Sequence, residues 1–270
     1  MNKLGVIGKP SDWLISCNID RDLLKKSFDI ELVDITSEEL ISLINSLKDE
    51  KMPKGLLKAT YDEKELNLAY QIYLAIKALV KKYDLKGFTI RCFDLLTTVH
   101  STSCLALALL NDEGIIGTCE GDLPALVSMF IVKEVLNKEA FQANPSEIHL
   151  DNHKMIIAHC TLPLKMTTSY KLTTHFESGI GVGIKGELKL GDCIIFRIGA
   201  DLDKFVILEG KIEENLSRAN LCRTQIVVNV KDHINYFLEN PLGNHHLIVY
   251  GDDKEKLANF LTSKGLKSLY

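Results

Sequence analysis

Apolar residues in the first half of the chain alternate between short runs and a helical period. Leu4-Gly5-Val6-Ile7-Gly8 and Glu31-Leu32-Val33-Asp34-Ile35 have the length and composition of buried strands. So does Phe88-Thr89-Ile90-Arg91-Cys92-Phe93, which follows a break at Gly87. Between them Leu66, Tyr70, Leu74, Ala78 and Leu79 recur on one face of a long amphipathic helix. Thr36-Ser37-Glu38-Glu39 opens a helix with a capping box, and Thr60-Tyr61-Asp62-Glu63 has the same form. Residues 103–110 predict a helix ended near Gly114, followed by a strand, Gly114-Ile115-Ile116-Gly117-Thr118. Asp122 is placed to cap the next helix, with Pro124 in its first turn and apolar residues through Val135. Strand and helix alternating in this way predict a mostly parallel sheet covered by helices.

The pattern changes after Asn144-Pro145-Ser146. Gly186-Glu187-Leu188-Lys189-Leu190 alternates by twos, and Gly179, Gly191-Asp192, Gly199 and Gly210 mark turns at short intervals. That predicts an antiparallel barrel or sandwich, with one closing helix over residues 253–263. The expected fold class is α/β. A mostly parallel α/β domain spans residues 1–144, and an antiparallel β-barrel-like domain with a closing helix spans 145–270.

Composition narrows the function classes. With 46% hydrophobic and 25% charged residues, the 270-residue chain is an ordinary globular one. A net charge of −4, with scattered Lys and Arg, gives no electrostatic case for nucleic acid or anionic lipid. Seven cysteines without CxxC spacing read as reduced, buried thiols rather than a disulfide framework. No run approaches the roughly 20 apolar residues that cross a bilayer. The first residues also lack the apolar stretch of a secretion signal, so the expectation is a cytoplasmic protein.

The candidate chemistry lies in acid and histidine motifs that straddle the change of pattern. Glu120 follows an apolar strand at its C-terminal end, where open α/β sheets place ligands, and Gly121 lets backbone approach closely. Asp122 is fully explained as a helix cap. Asp151 shares a strand face with His149, although Asp151-Asn152 also fits a turn. His159 lies in the apolar strand Met155-Ile156-Ile157-Ala158-His159-Cys160 and suits either a ligand or a core histidine. His245 and His246 are adjacent, so on a strand only one of them faces the site. Two carboxylates and one or two imidazoles suit a Mn²⁺-like ion, and the same carboxylates can move protons on a bound substrate. That points to metal-assisted proton transfer on a sugar-like molecule.

Two matches are decoys. His149, His153 and His159 have the H-x₃-H-x₅-H spacing of certain zinc proteases, but Leu150 stands where the base is needed and Ile156 where the glycine is. Zinc binding there stays open. Gly181-x-Gly183-x-x-Gly186 matches a dinucleotide fingerprint but leads into an alternating strand, so it reads as a glycine-rich hairpin.

These motifs resemble the L-fucose isomerase and L-arabinose isomerase superfamily. Cys119-Glu120-Gly121-Asp122 is similar to the family's first metal-carboxylate motif, Ile148-His149-Leu150-Asp151 to its second, and Asn244-His245-His246-Leu247 to its C-terminal histidine segment. Gly8-Lys9-Pro10-Ser11-Asp12-Trp13 resembles the opening of the family's middle domain. The resemblance implies an aldose–ketose isomerase that uses Mn²⁺, or another divalent ion such as Zn²⁺, and an enediol intermediate. It implies that Glu120 and Asp151 are both metal ligands and proton carriers, that His245 and His159 complete the ligand set, and that Arg91 and Asp94 line the sugar pocket. It further implies a homo-oligomer, trimer or hexamer. The family's first N-terminal domain has no counterpart in this sequence, so a separate chain supplying it is one expectation. A smaller substrate or a non-catalytic carbohydrate-binding or regulatory relative are the others.

Overall fold

The computed structural model describes residues 1–270. Its first half is β1 (Asn2–Ile7), α1 (Arg21–Phe28), β2 (Ile30–Ile35), α2 (Ser37–Ser46), α3 (Glu63–Tyr83), β3 (Gly87–Ile90), α4 (Phe93–Thr98), α5 (Cys104–Asp112), β4 (Ile116–Cys119) and α6 (Leu123–Leu136). The four strands form one parallel sheet in the order β2-β1-β3-β4. Alternate residues of each strand feed opposite faces. Leu4 and Val6 of β1 pack with Leu24 and Phe28 of α1 and with Leu126 and Phe130 of α6. Ile7 and Ile35 pack instead with Leu40 of α2, Ile72 and Ile76 of α3 and Leu107 of α5.

Local signals set most element ends. The Thr36 hydroxyl accepts from the Glu39 N–H at 3.2 Å. The reciprocal arm of that capping box does not form, because the Glu39 carboxylate accepts from Lys82 and Tyr83 of α3, each at 2.9 Å. In the second box Asp62, not Thr60, is the cap and accepts from the Glu65 N–H at 3.0 Å. The strand expected to run to Phe93 ends at Ile90, since Phe93 already opens α4. Helix α6 is apolar on nearly every side, which fits a helix sandwiched between two layers.

The second of those layers is the barrel. It comprises β5 (Phe141–His149), β6 (Lys154–His159), β9 (Gly191–Ile198), β10 (Lys204–Asn215), β11 (Thr224–Val230) and β12 (His246–Tyr250). They run in the order β11-β6-β5-β12-β9-β10, and antiparallel pairing of β10 with β11 closes the ring. A two-residue strand, β13 (Lys267–Ser268), adds to the start of β10. The strands β7 (Thr167–Thr173) and β8 (Gly183–Leu188) form a separate antiparallel hairpin, and Gly183 and Gly186 lie in it, with no helix following. A short helix, α7 (Tyr236–Glu239), precedes β12, and α8 (Lys254–Ser263) is the closing helix. The architecture changes between Leu136 and Phe141, so Asn144 lies inside β5. Phe196, Ile198 and Val249 of the barrel share a core with α6 and α8, so the two halves are packed together. No helix is long and apolar enough to cross a membrane.

Candidate metal centre

The site forms where the C-terminal end of β4 meets two barrel strands. Glu120 leaves β4 with a φ of +64°, and Gly121 follows at +66°. A left-handed backbone is free for glycine but costs a glutamate about 1 kcal/mol or more. A side chain on Gly121 would stand 2.7 Å from the Lys9 carbonyl oxygen, so the loop after β1 can close on this turn only over a glycine. There the Ser11 N–H donates to the Gly121 carbonyl at 3.1 Å. Asp122 then caps α6, accepting from the Ala125 N–H at 3.0 Å.

The kink aims Glu120 at two histidines. Its Oε1 lies 3.5 Å from His159 Nε2 and its Oε2 lies 3.7 Å from His245 Nε2. The ligand atoms of all three residues fall within 4.8 Å of one another. His159 ends β6, and its Nδ1 is 3.0 Å from the Thr161 hydroxyl. His245 immediately precedes β12, and its Nδ1 is 2.9 Å from Asp122 Oδ2. Arg197 of β9 grips the same Asp122 with two bonds, at 2.9 and 3.0 Å, and donates to the His245 carbonyl at 2.7 Å. Gly243 permits this: a Cβ there would sit 2.2 Å from the guanidinium.

Charge follows from that packing. Burial pushes the Glu120 carboxyl up, but the charge of His245 and the contact with His159 outweigh it and hold Glu120 well below the usual carboxylate range. Burial likewise opposes ionisation of Asp122, and Arg197 and His245 overcome it. Burial alone would lower the His245 imidazole; the Glu120 charge and the Asp122 hydrogen bond push it up to about 9. His159 is shifted down by burial, only partly offset by Glu120.

One carboxylate and two imidazoles form a mixed oxygen and nitrogen donor set for a divalent transition-metal ion such as Mn²⁺ or Zn²⁺. The residues fit such an ion by a second test. His245 Nε2 is buried, has no hydrogen-bond partner and faces Glu120 at a distance too long for a hydrogen bond. The other ring nitrogens of His245 and His159 are each held by an oxygen, as ligating histidines are.

Of the residues expected at the site, the fold brings Glu120, His159 and His245 together. It does not bring Asp151. That residue lies exposed in the single turn Leu150–Asn152 joining β5 to β6. His149 pairs with Lys154 at that end of the ladder, whereas Asn144 pairs with Ala158 beside His159 at the other. Six residues of strand at about 3.3 Å each put the turn roughly 20 Å from the site, which is why Asp151 cannot share an ion with Glu120. His149 and His153 are exposed at the same turn, so the H-x₃-H-x₅-H spacing does not converge either. His246 points the other way from His245, its Nε2 2.9 Å from the Tyr236 hydroxyl, and burial and Arg197 push its imidazole down to about 3. Arg91 and Asp94, 3.2 Å apart, line a neighbouring cleft with Asp12 and Ser37, and Arg91 reaches the site only by stacking behind Trp13.

A pocket of about 610 Å³ opens over the cluster, with Trp13, Phe93, Asn144 and Glu177 in its walls. Burial and the Glu120 charge raise the Glu177 carboxyl. Cys92, Cys104, Cys119, Cys160 and Cys222 also line it, all as free thiols. The part Asp122 and Arg197 play in holding His245 is not visible in a motif reading. Arg197 did leave a signal, as a lone charge in the apolar run Ile194-Ile195-Phe196-Arg197-Ile198, where a buried counter-ion is required.

No protein-family model matches the chain. It is similar to sulfoquinovose isomerases from several bacteria. The protein of Priestia megaterium is 21% identical over 274 residues, covering 94% of this chain and 61% of that protein. The Clostridium sp. (strain MSTE9) protein is 23% identical over 283 residues, with the same coverage. The Alkalicoccus urumqiensis protein is 19% identical over 266 residues, covering 92% and 60%. The chain therefore spans about 61% of the length of the relatives it matches.

Proposed function

We propose that this chain is a divalent-metal-dependent sugar isomerase that interconverts an aldose and a ketose. The observation that carries the reading is the convergence of Glu120, His159 and His245 around an unpartnered His245 Nε2, with Glu120 and His159 in the wall of a sugar-sized pocket. Similarity to sulfoquinovose isomerases along 94% of the chain supports the same class of reaction. Glu120, His159 and His245 would hold the ion, with Mn²⁺ the first to try. When bound, it would supply the positive charge that acidifies a carbon-bound proton between two adjacent sugar oxygens.

The chain's own groups handle the protons. Aldose-to-ketose conversion takes a proton from C2 and delivers one to C1, while a hydroxyl proton passes from O2 to O1. Glu120, the carboxylate of the cluster that lines the pocket, serves as the base for the carbon-bound proton. Glu177, the second carboxyl at the pocket wall, has the raised affinity for a proton that suits the hydroxyl transfer. Asp151, which the resemblance made a metal ligand and the second carrier of the C1–C2 proton, lies on the remote β5–β6 turn and has neither role in this reading. Asp122 and Arg197 keep His245 in place throughout. Association as a trimer or hexamer, or with a chain that completes the pocket mouth, belongs to the same reading, and light scattering tests it.

The test of turnover is ketose formation from a panel of aldoses with Mn²⁺ present. The expected outcome is conversion by the wild type and none by Glu120→Gln. Conversion at an equal rate in both proteins would sink the assignment.

A further inference from the structure

Trp13 is the single tryptophan of the chain, and it is 44% exposed in the wall of the pocket that holds Glu120 and His159. An exposed indole on a loop is usually loosely held. This one is held by two neighbouring side chains and by its own backbone. The Arg91 guanidinium lies under the ring, 4.5 Å from its centroid, and is itself held by Asp12 at 3.2 Å, Asp94 at 3.2 Å and the Pro10 carbonyl at 3.3 Å. Phe93 meets the indole edge-on at 5.6 Å. The Ser11 hydroxyl accepts from the N–H groups of Trp13 and Leu14 at 3.4 and 3.3 Å.

The same loop is clamped to both sides of the metal centre. The Ser11 N–H donates to the carbonyl of Gly121, next to Glu120, at 3.1 Å. The Ile15 N–H donates to the Asn244 side chain, next to His245, at 2.7 Å. The position of the indole is therefore coupled to the position of the cluster, as a substrate-positioning surface must be.

We propose that Trp13 is the carbohydrate-stacking platform of this pocket. It receives the C–H face of an aldose or ketose while the hydroxyl-bearing carbons reach Glu120, an inference that rests on the sugar isomerase reading above. The physical basis is twofold. The face of an indole carries negative quadrupole charge that attracts polarised C–H groups, and it offers a large apolar area. The ring also has only two rotatable bonds, and these are already frozen by Arg91 and Phe93, so little further entropy is lost on binding.

Because Trp13 is the sole tryptophan, the emission of the intact chain reports this site alone. Neutral hexoses and their ketoses are titrated with Mn²⁺ present, and Mn²⁺ affinity is measured in parallel by calorimetry. The expected result is a saturable change in emission. Trp13→Leu should weaken sugar binding about tenfold, with Mn²⁺ affinity unchanged as the control for folding, and Trp13→Phe should recover most of the loss. Turnover that disappears in Glu120→Gln but is untouched in Trp13→Leu overturns the platform and leaves the isomerase reading intact. An emission response without turnover of any aldose supports the platform and removes the isomerase reading. An emission change that follows protein concentration and ignores sugar overturns the platform, since the indole is then covered by a second copy. No response and no turnover overturn both.

Discussion

Two groups of acid and histidine residues stand in this chain, and the fold treats them in opposite ways. Glu120, His159 and His245 are distant in sequence and meet in a buried cluster. His149, Asp151 and His153 are close in sequence and lie exposed on one turn. The second group has the tighter spacing and the more familiar look. The first has the physics: a histidine held by the buried Asp122–Arg197 pair, and a buried ring nitrogen with no partner. Both groups touch β6, one at each end. Ligand types alone do not make a site; several chain segments must end at the same place.

The contrast is broken most severely at Asp122. Asp122→Ala leaves Arg197 buried without its counter-ion, and that should cost about 3–5 kcal/mol of stability, read as a large drop in thermal midpoint. Asp151→Ala on the exposed turn should stay within about 0.5 kcal/mol. Next comes Glu120→Gln. Losing a direct ligand should weaken Mn²⁺ binding by about a hundredfold or more, since outer partners alone are worth roughly 10–100-fold. Glu120→Gly should abolish binding too, and its loss of the carboxylate that faces His245 is partly offset in the metal-free protein by relief of left-handed strain of about 1 kcal/mol.

Protonation sharpens the comparison further. A proton on His245 competes with the ion, so Mn²⁺ affinity should rise by up to about tenfold per pH unit until pH approaches about 9, where His245 loses that proton. Without metal the sign reverses. The raised imidazole stabilises the fold fully below its ordinary value of 6.5, and that contribution is lost as pH climbs through about 9. Asp122 and Glu120 are shifted down, so their contribution is present above the ordinary values of 3.8 and 4.5 and is lost on acidification below them. His159 and His246 are shifted down, so they cost stability as pH falls below 6.5. The metal-free protein should therefore melt highest near about pH 6.5, and a midpoint that rises steadily to pH 9 would contradict the cluster's charge state. The smallest effect is expected at His149→Ala and His153→Ala, which should change neither stability nor Mn²⁺ affinity measurably.

Much of the fold was legible because it rests on local signals. The short apolar runs gave the parallel strands, the change of period gave the antiparallel barrel, and Asp122 with Pro124 marked the start of α6. Thr36 and Asp62 show where local rules compete with tertiary contacts: Glu39 abandoned its capping arm for Lys82 and Tyr83. The site was legible in part. Glu120 stood out because neither a cap nor a core explained it, and strand alternation allowed only one of His245 and His246 to face it. Asp151 misled because a strand face shared with His149 says nothing about which end of the strand meets Glu120. That depends on the β5–β6 register, which places Asn144 rather than Asp151 beside His159. Asp122 was hidden by its own sufficiency as a cap. Its second bond to His245 and its pair with Arg197 span 123 and 75 residues and leave no local trace.

The central claim is that the ion's protein ligands are Glu120, His159 and His245 and not the residues of the β5–β6 turn. The most direct measurement is Mn²⁺ titration by calorimetry of the wild type, His245→Ala and Asp151→Asn at one pH near neutrality. The account predicts one ion per chain in the wild type and in Asp151→Asn with equal affinity, and no binding in His245→Ala. Binding that survives in His245→Ala but is lost in Asp151→Asn would contradict it.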